Sequence, residues 1–378
     1  MRVLIAMDSF KGSLSSMAAG AAVREAIREL DSTVDVQLLP LADGGEGTVD
    51  ALTAGCDGKQ IRIPVTDPLG EPVLASYGIL PDGTAVLEMA AAAGLPLVPS
   101  KKRDPMHTTT YGVGELIRDA IDRGCRNFVI GIGGSATNDG GTGMLSALGF
   151  RFLDEKGMPI PPGGSGLAHL ARVEREGAMP QLKECTFRIA CDVKNPLCGP
   201  EGCSAVFAPQ KGAKPDEIPQ MDRWLYHFSQ LSGADPNLPG AGAAGGLGYG
   251  FCSYLGGKLE PGVQIILEQT GMEDVICRAD LVITGEGRLD GQTAMGKAPM
   301  GVATLAKKYG KPVVAFCGCV GEGVQRCKDW GITAYYPITP PDMPSEVAMK
   351  PEVAYKNLKN KALQVLKLQG KGMDYENY

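Results

Sequence analysis

Several polar blocks place carboxylates, cations and glycines directly after short apolar runs. Asp8-Ser9-Phe10-Lys11 follows the run 2–7, and Asp43 follows the run 34–39. Gly133 to Gly141 follows 127–132, and Gly285-Glu286-Gly287-Arg288-Leu289-Asp290 follows 280–284. This inventory suits phosphoryl transfer. That reaction needs cations to hold spreading negative charge, carboxylates for Mg²⁺ and a base for the attacking hydroxyl. Lys11, Lys211, Arg288 and Lys297 sit in Gly/Pro loops or at helix starts, and Asp8, Asp43, Asp192, Glu286 and Asp290 sit at strand ends. Asp192 closes the apolar run Phe187 to Cys191 and precedes Asn195-Pro196, so it is a candidate base held by a rigid strand; the plainer reading is the start of a turn. In the third block, Gly133 and Gly134 would turn backbone N–H groups toward a phosphate near a helix start. Ser135, Thr137 and Asn138 add neutral donors there.

Two patterns point elsewhere. Gly131-Ile132-Gly133-Gly134-Ser135-Ala136 fits the dinucleotide fingerprint, with Asp154 near the expected spacing, which raises a nicotinamide-dependent dehydrogenase as the rival enzyme. The same GxGxxG spacing recurs at Gly240 to Gly245 with no strand before it, so the pattern is weak in a chain with 52 glycines. The stretch Gly291 to Ala298 nearly fits a P-loop, but Ala298 lacks the hydroxyl that holds Mg²⁺ there. Lys297 remains a phosphate contact at a helix start. A third reading, from another class, is a nucleotide-binding regulator without turnover.

Strands and helices must alternate to position these blocks. Arg2 to Met7, Val34 to Leu39, Asn127 to Ile132, Asp280 to Thr284, Pro312 to Phe316 and Ile332 to Tyr336 read as strands. Helices are expected over Ser15 to Leu30, from about Glu46 to Leu52, and over Thr110 to Ile121, Lys297 to Tyr309 and Glu352 to Leu368. Such alternation gives a parallel sheet with helices on both faces, and all four blocks would then share the rim at the strands' carboxyl ends. Residues 60–90 read as an antiparallel meander, and 150–260 is loop-rich with strands near Phe187 to Cys191 and Ala205 to Ala208. The expected division is an α/β parallel-sheet domain from 1–60, 106–148 and 260–378. A second, smaller mixed α/β domain from 61–105 and 149–259 is inserted into it, with the catalytic cleft between them.

The bulk composition narrows the class. A chain of 378 residues suits two domains. A net charge of −6 without a basic block argues against nucleic acid as a partner. No apolar run approaches a membrane span, and the first residues lack the features of a secretory signal, so the cytoplasm is the expected compartment. Eleven cysteines, an odd number in a long chain, read as reduced thiols. Three scattered histidines, His107, His169 and His227, make a zinc site unexpected.

Taken together, the blocks resemble the bacterial type I glycerate kinases (glycerate 2-kinases). The matching stretches are Asp-Ser-Phe-Lys-Gly-Ser at 8–13, Pro-Leu-Ala-Asp-Gly-Gly-Glu-Gly-Thr at 40–48 and the glycine block at 131–141. Further matches are Cys-Asp-Val-Lys-Asn-Pro-Leu-Cys-Gly-Pro at 191–200, Pro-Gln-Lys-Gly-Ala at 209–213, the run 239–248 and Ala-Asp-Leu-Val-Ile-Thr-Gly-Glu-Gly-Arg-Leu-Asp at 279–290, which runs into Gln-Thr and Gly-Lys-Ala-Pro at 292–299. Cys203 and Ala208 stand where Ala and Gly are expected, which leaves the chemistry untouched. The resemblance implies a Rossmann-like domain beside a second α/β domain, and ATP- and Mg²⁺-dependent phosphorylation of D-glycerate to 2-phosphoglycerate. The roles inferred on that footing are Asp192 as base, Lys11 and Arg288 on phosphate or carboxylate oxygens, and Asp43 or Asp290 toward Mg²⁺. Asp8, Ser9, Glu286 and Lys297 would line the substrate or phosphate site from one set of blocks. Gly133, Gly134, Ser135, Asn138 and Lys211 would do so from the other. The partners expected are these small molecules, with no nucleic acid and no membrane. The oligomeric state stays open, a homodimer being the form considered.

Overall fold

A computed structural model describes residues 1–45, 47–291 and 297–369. In chain order the first strands are β1 (Arg2–Met7), β2 (Asp35–Leu38), β3 (Lys59–Thr66), β4 (Pro72–Ile79), β5 (Ala85–Glu88), β6 (Asn127–Gly131) and β7 (Arg151–Leu153). They are followed by β8 (Arg172–Glu174), β9 (Thr186–Ala190), β10 (Lys258–Glu260), β11 (Leu281–Leu289), β12 (Val313–Val320) and β13 (Ala334–Pro337). The chain divides into two units. One comprises Met1–Asp43, Asp50–Cys56 and Val263–Tyr378, and the other Gly44–Val49 and Asp57–Gly262.

The first unit holds a five-stranded parallel sheet in the order β13-β12-β11-β1-β2. Side chains alternate along β1 and feed two cores. Val3, Ile5 and Met7 pack with helices Ser16–Leu30 and Pro351–Gln369 on one face, while Leu4 and Ala6 pack with Met272, Ile276, Val302 and Ala303 on the other. Burial on both faces explains why these strands read as nearly continuous apolar runs. Ser15 caps helix Ser16–Leu30 by accepting from the Ala18 N–H at 3.2 Å. The next residue, Ser16, is buried; its hydroxyl donates to the Met7 carbonyl and accepts from the Leu41 N–H, tying two strand ends together.

In this sheet the chain passes from β1 outward to β2 on one side, and from β11 to β12 and β13 on the other. The direction of winding therefore reverses between β1 and β11. Crevices at such a point, outside the carboxyl ends of the strands, are where open α/β sheets bind ligands.

The second unit holds a six-stranded mixed sheet in the order β10-β9-β6-β5-β4-β3, with a separate antiparallel pair β7-β8. The expected meander is present as β3, β4 and β5, with β4 antiparallel to both its neighbours; β5, β6, β9 and β10 then run parallel. One large core serves this unit, with Phe128, Phe187, Phe228, Tyr249 and Phe251 at its centre.

Three expectations need correction. Residues 106–148 belong to the second unit, because β6 pairs with β5 and β9 and shares their core. The strand–helix rhythm gives the local conformation of β6 but does not say which sheet receives it. The second unit is consequently the one with the larger sheet. Ala205 to Ala208 is no strand; it falls in helix Cys203–Phe207 and its cap. Finally, β11 does not stop at Thr284 but continues through Leu289, pairing Glu286 with Cys317 and Arg288 with Cys319. Glycines at 285 and 287 suggested a loop, yet Gly285 is there for close approach. A Cβ on it would lie 2.0 Å from the Phe316 carbonyl oxygen. Among the described residues no helix is long and apolar enough to cross a membrane.

Candidate active site

At the switch point of the first unit lies a cavity of about 400 Å³. Asp8, Ser9 and Lys11 reach it from the loop after β1, and Asp43 from the segment after β2. Glu286 and Arg288 reach it from the extended end of β11, and Lys297 from the start of helix Ala298–Lys308. Parallel pairing explains the convergence. Met7 is opposite Gly285, and the Asp8 N–H donates to the Gly285 carbonyl at 2.8 Å, so both strand ends deliver their polar residues at one level.

The electrostatics of this cluster are tight. Asp8 is buried, and its carboxyl is pushed up to about 7, chiefly by burial and then by the charges of Asp43 and Glu286. The Ser9 N–H, donating to Asp8 Oδ1 at 2.7 Å, opposes that rise. Lys11 pairs with Asp43 at 3.3 Å, and that carboxylate raises the pKa of the ammonium. Arg288 pairs with Asp290 at 3.2 Å while its own side chain stays exposed. The cluster thus alternates acid and base. It can hold an anion on Lys11, Arg288 and Lys297, and it offers carboxylates to a cation.

The loop after β6 is built differently. Gly133 and Gly134 are exposed, whereas Ser135, Thr137, Asn138 and Asp139 are buried. Asp139 accepts from the Thr110 N–H at 2.9 Å and hydroxyl at 2.8 Å, and from the Gly141 N–H at 3.0 Å. Asn138 Nδ2 donates to Ser204 Oγ at 2.9 Å. Lys211, only 1% exposed, donates to Ser135 Oγ and to the Thr137 carbonyl, both at 2.6 Å. Asn138 and Lys211, expected to touch a ligand, therefore act on the loop from inside. Only Gly133 and Gly134 present their backbone outward.

The loops carrying Asp8 and Asp43 and the end of β11 carrying Glu286 share the sheet of the first unit; the glycine block belongs to the other sheet. Asp192 also lies in the second unit, exposed, with Oδ1 accepting from the Gly262 N–H at 3.1 Å. The dinucleotide reading loses its support. No helix opens at the glycines, the next one being Thr142–Ala147, and Asp154 is spent on a turn, accepting from the N–H groups of Lys156 and Met158. Most of the near-P-loop stretch lies outside the described residues.

Comparison with known proteins settles the kinship. The model of the glycerate kinase family matches residues 3–369. The chain belongs to that family. A glycerate kinase of Bacillus subtilis (strain 168) is 47% identical over 361 residues, covering 94% of each chain. A glycerate 2-kinase of Escherichia coli (strain K12) is 46% identical over 344 residues, covering 89% of this chain and 90% of the other. A crystal structure described as that of a glycerate kinase 2 from Salmonella typhimurium LT2 superposes with a TM-score of 0.90 at 43% identity. It covers 98% of this chain and 100% of its own.

One part of this cavity escapes a reading of the blocks. Ile338, Met343, Ala348 and Met349 also line the cavity, from the segment between β13 and the last helix, and Ala354 does so from that helix's first turn. Their available signal was two methionines among four prolines (340, 341, 344 and 351) past the last strand.

Proposed function

We propose that the chain is a glycerate kinase that transfers the γ-phosphoryl group of ATP to D-glycerate, giving 2-phospho-D-glycerate and ADP, in the cytoplasm. The observation that carries this reading is the cavity at the switch point, where Lys11, Arg288 and Lys297 converge with Asp8, Asp43 and Glu286. The relatives named glycerate kinase and glycerate 2-kinase support the acceptor and the product.

In the transfer, the 2-hydroxyl oxygen of glycerate forms a bond to the γ-phosphorus as the bond from that phosphorus to the bridging oxygen of ADP breaks. The hydroxyl proton passes to a carboxylate, for which Asp192 is our assignment; it follows strand β9, and the Gly262 N–H donates to its Oδ1 at 3.1 Å. Lys11, Arg288 and Lys297 would hold the charge that spreads over the phosphoryl oxygens.

Among the described residues no group of three or more His, Cys, Asp or Glu side chains forms a metal cage. Magnesium needs none: it is commonly held by one or two carboxylates together with substrate phosphates and water. Asp43 or Asp290 fits that requirement, since each already faces a cation that a bound phosphate would draw away. Mg²⁺, when bound, would neutralise charge on the phosphate oxygens. The test is ADP release in the presence of ATP, Mg²⁺ and D-glycerate. Release that depends on all three supports the reading, and its absence overturns it.

A further inference from the structure

The cavity of the first unit has two chemically different ends. One carries Asp8, Lys11, Asp43, Glu286 and Arg288. The other is apolar. Phe10, Ile338, Ala348 and Ala354 in its lining are buried, Met343 is half-buried and Met349 is 50% exposed. The two ends are continuous. Gly12 follows Lys11 with φ 75°, and a Cβ there would meet Met349 Cε at 3.3 Å.

D-Glycerate has no use for such a wall, because each of its three carbons carries oxygen. Burying apolar side chains against it would desolvate polar groups without return. A flat, mostly apolar ring gains from the same surface, and methionine thioethers adapt to aromatic faces. The volume of about 400 Å³ lies in the range of pockets that take drug-sized ligands, about 300–1,000 Å³. Thr339 and Ser345 add hydroxyls to the lining, enough to hydrogen-bond the edge of a base.

We propose that the wall formed by Phe10, Ile338, Met343, Ala348, Met349 and Ala354 receives the nucleobase of the phosphoryl donor. The donor's phosphates then extend toward Lys11, Arg288 and Lys297. This rests on the kinase reading and adds to it which substrate the first unit takes. It also gives a use to the segment 338–354, which none of the polar blocks explains.

The test is titration calorimetry of the full-length chain with Mg²⁺ and ADP, alongside steady-state kinetics for both substrates. Met349→Asp places a charge on an exposed part of the wall and should leave the fold intact, whereas Ala348→Trp fills the pocket and is checked by circular dichroism. Met349→Asp should weaken ADP binding about tenfold or more and raise the KM for ATP, with the KM for D-glycerate within about twofold of the parent. ADP affinity within about twofold of the parent, or a rise confined to the KM for D-glycerate, overturns the assignment. If the parent turns over no glycerate yet binds ADP and loses it in Met349→Asp, the wall assignment stands while the acceptor reading fails.

Discussion

Lys211 and Ser135, 76 residues apart in sequence, are joined inside the second unit by a 2.6 Å hydrogen bond from the lysine ammonium to the serine hydroxyl. The same nitrogen donates to the Thr137 carbonyl, so one buried side chain sets the path of the loop that carries Gly133 and Gly134 outward. Burial lowers the Lys211 pKa from 10.5 to about 8, against the pull of Cys203 and Asp139. In the window from pH 8 to 10.5 the unfolded chain keeps a proton that the folded chain has lost, so this group makes stability rise with pH there. Below that window, burying the charged ammonium costs stability. Lys211→Met keeps the apolar stem but removes both hydrogen bonds. It should cost about 1–3 kcal/mol at pH 9.5, and less at pH 7.5 where the buried charge is also relieved. Urea midpoints of both proteins at the two pH values measure this. A difference that does not grow with pH would contradict it.

Asp192→Asn should lower kcat at least about a hundredfold, because the neutral amide cannot take the hydroxyl proton. ADP affinity, measured by calorimetry, should stay near that of the parent. A variant with parental turnover would remove Asp192 from the mechanism.

Legibility from sequence was uneven, for physical reasons. The strand Arg2–Met7 and the helix after it were readable to within a residue, since a doubly buried strand and a serine-capped amphipathic helix have strong local signatures. The cluster of Asp8, Lys11, Asp43 and Glu286 was readable as a set, because parallel strands deliver their ends to one rim. The sheet to which β6 belongs was not, since pairing is decided by side chains distant in sequence. Nor was the inward use of Asn138 and Lys211: a lysine beside Gly212 looks like a surface cation until its two buried acceptors are seen. The strand character of Gly285 to Leu289 was hidden for the same kind of reason, the glycine serving a neighbouring backbone instead of a turn.

Gly285→Ala should therefore be severely destabilising although it adds a single methyl group. The new Cβ would lie 2.0 Å from the Phe316 carbonyl oxygen, so β11 and β12 would have to separate where they carry the site. A loss of about 3 kcal/mol is expected, read from chemical denaturation. Parental stability would show that the strand ends tolerate displacement.

Lys11→Ala should act mainly on binding. The Asp43 carboxylate loses its partner at 3.3 Å, and the cavity loses one of three cations. The Michaelis constants should rise about tenfold for at least one substrate, and the dependence of turnover on ionic strength should weaken. Unchanged constants for both substrates with normal turnover would place Lys11 outside the site.

The reaction itself can be read by phosphorus NMR of the product formed from ATP, Mg²⁺ and D-glycerate. The ADP and 2-phosphoglycerate resonances should grow together, in equal amounts. Resonances of 3-phosphoglycerate would contradict the assigned acceptor oxygen, and no phosphorylated glycerate at all would contradict the reaction.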